Sequence, residues 1–130
     1  MVWASTTVSV TGAPQAIPVT LTVVDAPTTP ILSRTPASFF REIVQGENAA
    51  SDTFQVQNLG AGTLTYEIQD DASWMSQSPV NGGSTGESDT INLNFSTTQI
   101  PVGVYTNTIT ITGNGALSSP QTIEVGFVTR

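Results

Sequence analysis

Along most of the chain, apolar and polar residues alternate one for one. Phe54 and Val56, then Leu64, Tyr66 and Ile68, then Ile91, Leu93 and Phe95, then Ile109 and Ile111, then Ile123, Val125 and Phe127 take every second position, with Gln, Thr, Glu and Asn between them. Successive side chains of an extended chain point to opposite faces, so a period of two gives each segment one buried and one wetted face. No window carries an apolar period of 3.6 residues. The pattern predicts strands near 37–44, 52–57, 63–69, 73–77, 89–95, 104–112 and 121–128.

Turn signals separate these runs. The stretch NLGAGT (58–63) reads as a turn whose glycines can take positive φ, and PVNGGSTGES (79–88) as a longer flexible loop. Seven short strands so punctuated in roughly 100 residues predict an all-β chain, an immunoglobulin-like antiparallel sandwich with Greek-key connections. Gly103 stands two residues before Tyr105 at the start of a strand. That spacing is the one found at a tyrosine corner, where the phenol hydroxyl bonds back to the backbone and pins a crossover.

The beginning of the chain copies its end. TVSVTG (7–12) matches TITITG (108–113) at an offset of 101, and Pro14–Gln15 matches Pro120–Gln121 at an offset of 106, so the later copy has a turn five residues longer. Each copy reads as a strand, a Gly-containing turn and a second strand, a β-hairpin. In the first copy Ile17, Val19, Leu21 and Val23 fall on one face and Pro18, Thr20 and Thr22 on the other. Residues 1–24 are therefore expected to form an extra hairpin equivalent to the end of a preceding repeat. Residues 25–36, with Pro27, Pro30 and Pro36, are expected to be a stiff linker, and 37–130 the sandwich.

Composition narrows the chemistry. The chain has no His, Cys or Lys, only Arg34, Arg41 and Arg130 as basic side chains, ten acids, and a net charge of −7. The usual groups for proton transfer, thiol chemistry and zinc ligation are missing. Nucleic acid is not an expected partner, because phosphate binding is driven by Lys and Arg. Apolar runs are too short for membrane insertion. The carboxylate groupings, Asp70–Asp71 with Glu67 and Glu87 with Asp89, fall in turns beside a small sandwich. They lack both a facing pair across a cleft and a calcium-loop pattern. No catalytic, cofactor-binding or metal site is expected.

Four pieces of sequence, in order, carry a family resemblance: N-x-G-x-G-T-L-x-Y from Asn58 to Tyr66, S-W-M-S-x-S-P from Ser73 to Pro79, G-x-Y-T-x-T-I-T-I from Gly103 to Ile111, and the closing Pro-Gln-Thr-Ile strand. Over residues 30 to 129 the chain resembles a BACON-type domain, an immunoglobulin-like repeat of bacterial surface and secreted proteins and of some phage proteins. The resemblance implies a tandem, non-enzymatic module located outside the cell or on a virion, acting as a spacer or assembly unit. It transfers no ligand-binding residue.

A glycan-binding sandwich needs exposed aromatic rings. Phe54, Tyr66, Phe95 and Phe127 share faces with aliphatic residues, and Trp74 is expected to pack between the sheets as in related sandwiches. Tyr66, Trp74, Gly103 and Tyr105 are thus expected to be structural, leaving Trp3 and one of Phe39 and Phe40 to face outward. Expected partners are neighbouring sandwiches or further copies joined by strand addition, with glycans as the alternative. Lysine, a common guard of edge strands, is missing, which leaves the edges open to that addition. Self-assembly through the N-terminal strands is a further alternative.

Overall fold

The computed structural model describes residues 29–130 together with the backbone of residues 5–11 and 16–22. The N-terminal strands, β1 (Ser5–Thr11) and β2 (Ala16–Thr22), form an antiparallel two-stranded sheet. Trp3 and residues 23–28 lie outside the described residues. The remaining strands are β3 (Leu32–Thr35), β4 (Ser38–Ile43), β5 (Asp52–Asn58), β6 (Leu64–Gln69), β7 (Met75–Ser78), β8 (Asn81–Ser84), β9 (Ser88–Phe95), β10 (Gly103–Gly113) and β11 (Gln121–Thr129).

These nine build an all-β sandwich from a five-stranded sheet ordered β4-β11-β10-β6-β8 and a four-stranded sheet ordered β3-β5-β9-β7. Each pairing is antiparallel except one. β4 runs parallel to β11, from Ser38 opposite Glu124 to Ile43 opposite Thr129. The alternating apolar residues meet between the sheets: Phe54, Val56, Leu64, Ile91, Leu93, Ile109, Ile111 and Ile123 are fully buried. The seven strands expected from alternation are all present, because a half-buried strand needs that pattern.

Two further strands lie where the sequence predicts linker and loop. β3 falls inside the Pro-rich stretch 25–36, bounded by Pro30 and Pro36. It has one apolar residue, Leu32, which is 2% exposed and seated in the core. β8 falls inside the expected flexible loop 79–88 and pairs with β6, although its sequence NGGS has no apolar residue at all. Edge strands of this length give alternation too few positions to register. The glycine is required by close approach, since a Cβ on Gly82 would lie 2.6 Å from the Tyr66 hydroxyl.

Polar residues hold the loops to this frame. Asn58, at the end of β5, is 2% exposed. Its Oδ1 accepts from the N–H groups of Ile31 (3.0 Å) and Gly60 (2.9 Å), and its Nδ2 donates to the carbonyls of Ala61, Gly62 and Ser84. Thr97 works similarly at the other end. Its hydroxyl donates to the Glu47 carbonyl and accepts from the Ala49 N–H, both at 2.9 Å.

Candidate functional site

The strand directions give the sandwich two ends. The chain comes in at Thr29–Leu32, beside the β5–β6 and β10–β11 turns, and leaves at Arg130, beside the β4–β5 and β9–β10 loops. We call these the proximal and distal ends.

Three of the four residues singled out in the sequence lie near the distal end. Tyr105, in β10, donates its hydroxyl to the Pro101 carbonyl at 2.8 Å, four residues back. Its ring lies over Gly103 and stacks on Phe127 at a centroid distance of 5.0 Å. Trp74 sits between the sheets, edge-on to Phe127 of β11 (4.7 Å) and parallel to Phe95 of β9 (6.4 Å). It is only half-buried, because it precedes β7 at the rim of the core. Tyr66 stands apart from this group. It is fully buried, and its hydroxyl bridges the two sheets by donating to Asp89 Oδ2 at 2.8 Å. Burial first, and then the hydrogen bond to Asp89, push the Tyr66 phenol well above its ordinary pKa.

The acidic residues of the two groupings make local contacts. Asp70 accepts from the Ala72 N–H at 2.8 Å, and Asp89 is engaged by Tyr66. Glu87 is held below the ordinary carboxylate range by its own backbone N–H, then by the N–H and hydroxyl of Thr85. Among the described residues no three acids come together in a way that could hold a metal ion.

Two open hollows mark the described surface. One, of about 490 Å³, is lined by residues that include Arg41, Glu42, Val44, Glu47 and Arg130. Both of its arginines are paired, Arg130 with Glu42 and Arg41 with Asp52 on β5. The other, of about 290 Å³, lies among Thr65, Glu67, Thr112 and Asn114 on the outer face of the larger sheet. Neither contains an aromatic ring.

Sequence reading missed two kinds of residue. Asn58 and Thr97 organise the loops, yet an Asn before glycines and a Thr after a strand read only as turn formers. Several large apolar side chains are also exposed, and, Val80 in the β7–β8 turn apart, most of them lie toward the ends. Leu59 and Leu117 flank the incoming chain, while Val44, Val102 and Val104 surround the outgoing one, with Phe40 on the adjoining outer face over Gly126. Of the adjacent pair, Phe39 is therefore the buried ring and Phe40 the outward one.

The fold has many relatives among solved structures. The ASH/PapD-like domain of human CEP192 superposes with a TM-score of 0.64 at 12% identity, over 80% of this chain and 88% of that one. The periplasmic chaperone SfaE gives 0.61 at 9% identity, over 76% of this chain and 58% of the chaperone. A GH5 xyloglucanase of Bacteroides ovatus gives 0.56 at 16% identity, over 78% of this chain but only 19% of the enzyme. At these identities the likeness is one of fold. No curated protein sequence matches the chain. The family model for the viral BACON domain matches residues 31–127, continuously from the segment before β3 into β11, and the chain belongs to that family of immunoglobulin-like modules.

Proposed function

We propose that the chain is a structural module of an extracellular or virion-associated protein, one link in a series of sandwiches that sets spacing and bears load. The observation that carries this reading is the parallel pairing of β4, which follows the short edge strand β3, with β11, the last strand. The chain comes in at one end of the sandwich and leaves at the other, and β4 and β11 lie side by side over six residue pairs. Tension applied through the chain ends pulls these strands in opposite directions along their length. The ladder is then loaded in shear, with its hydrogen bonds resisting together instead of opening one at a time. The copy of the β10–β11 sequence in residues 7–21 fits the same picture as the close of a preceding module.

Single-molecule stretching tests it. Pulled through its termini, the sandwich should resist a distinctly higher force than when pulled across the β10–β11 hairpin, a direction that unzips the strands. Glu124→Pro removes the N–H that donates to the Ala37 carbonyl at 3.1 Å at the head of the ladder, and should lower the terminal unfolding force. Equal forces in both directions would remove the load-bearing role. Glycan binding is the competing reading, and Phe40, the outward ring of the described residues, is the platform it would use. A glycan-array signal abolished by Phe40→Ala would favour it.

A further inference from the structure

The incoming segment is clamped from both sides. Leu59 N–H donates to the Ile31 carbonyl at 3.0 Å and Leu117 N–H to the Pro30 carbonyl at 2.9 Å, while the Leu117 carbonyl accepts from Leu32 N–H at 3.0 Å. Leu59 and Leu117, two of the residues whose backbones fix the incoming chain, also carry the large exposed apolar side chains of the proximal end. Their backbones are committed to the chain, so their side chains must flank it.

The distal end presents a counterpart. Arg130 N–H donates to the Ile43 carbonyl and its carbonyl accepts from Gln45 N–H, which places Val44 beside the outgoing chain. Gly103 pairs with Thr129, which places Val102 and Val104 on its other side. All three valines are more than half exposed.

Sequence equivalence brings these two ends together. At the offset of 106 that aligns Pro14–Gln15 with Pro120–Gln121, Val23 corresponds to Thr129 and Val24 to Arg130. Only residues 25–28 then separate the last residue of a preceding module from the clamped Thr29. Five residue steps span at most about 18 Å, so the distal end of one module must face the proximal end of the next. At such tether lengths the effective concentration is in the mM range, and a small apolar contact suffices to hold.

We infer that Leu59 and Leu117 form a seat for the distal-end valines of a preceding copy of this module, so that consecutive modules stack end to end in a fixed orientation. The inference rests on the module reading above. Its occupant is a second copy of the same sandwich.

The test is a tandem chain in which residues 1–130 are followed directly by residues 25–130, reproducing the junction that the alignment gives. Spin labels on the outer faces of the two sandwiches report the distance between modules. The expected result is a narrow distance distribution that becomes broad when Leu59→Ser and Leu117→Ser are introduced in the second copy. Val44→Ser with Val102→Ser in the first copy should broaden it equally. All four positions are exposed, so each sandwich should keep its melting temperature, checked by calorimetry. A distribution already broad in the parent tandem, or one unmoved by either pair, overturns the seat. Scattering separates that failure from failure of the module reading: a tandem that is not about two sandwiches long removes the reading itself, whereas a full-length but loosely jointed tandem removes only the contact.

Discussion

Tyr66 is the side chain on which most of the local arrangement converges. It is packed in the core, it holds Asp89 across the sheets, and it leaves room only for glycine at position 82. The sequence placed it correctly on an inward face, but its hydroxyl partner lies on another strand, 23 residues away, and was not legible. Its raised pKa has a measurable consequence. Below pH 10, the ordinary tyrosine value, folded and unfolded chains both hold the proton and the interaction contributes in full. As pH rises above it, the unfolded chain releases a proton that the folded chain keeps, so stability falls, at up to about 1.4 kcal/mol per pH unit. The chain has no Lys or Cys, so no other side-chain type in it has an ordinary pKa between about 9 and 12. Denaturant melts across that range should show the decline, and Tyr66→Phe should flatten it. An equally steep decline in the variant would place its origin elsewhere.

At the scale of elements, legibility followed apolar content. β5, β6, β9, β10 and β11 each offer two or more alternating core residues and could be read directly, whereas β3 has Leu32 alone and β8 none. Their places are set by partners instead: β8 by β6 and the Tyr66 ring, and the chain just before β3 by Asn58 and the turn at Leu117. Asn58 makes this dependence testable because it uses both ends of its amide. Asn58→Asp keeps the acceptor for Ile31 and Gly60 but turns a carboxylate oxygen toward the carbonyls of Ala61, Gly62 and Ser84. A buried charge facing acceptors should cost about 3 kcal/mol or more in chemical denaturation. Faster amide exchange at Ile31 and Gly60 should accompany it. A loss under about 1 kcal/mol, ordinary for a single neutral hydrogen bond, would mean that the loop is held by its other contacts.

For the molecule as a whole, the question is what the N-terminal hairpin contributes. All nine strands of the sandwich come from residues 32–129. Deleting residues 1–24 should therefore leave its melting temperature unchanged. The hairpin repeats the β10–β11 pattern with a different register: Val8 faces Val19, whereas the equivalent Ile109 faces Ile123, the counterpart of Ile17. A slip of two preserves the faces, where a slip of one would exchange them. By sequence, Val8, Val10, Ile17 and Val19 are the counterparts of Ile109, Ile111, Ile123 and Val125, which are buried in β10 and β11. Burying such side chains is worth about 1.5–3 kcal/mol each before ordering costs, and an isolated two-stranded hairpin is marginal in water. The hairpin should therefore pair with β structure in another copy of the chain. Pro18 stands where Glu124 donates its N–H to Ala37, so the outer edge of β2 lacks that donor and β1 presents the complete edge. Light scattering should find concentration-dependent association of the full chain that vanishes on deletion of residues 1–24, with β1 amides gaining protection as concentration rises. A chain that stays monomeric at high concentration while those amides exchange slowly would place the hairpin against its own sandwich instead.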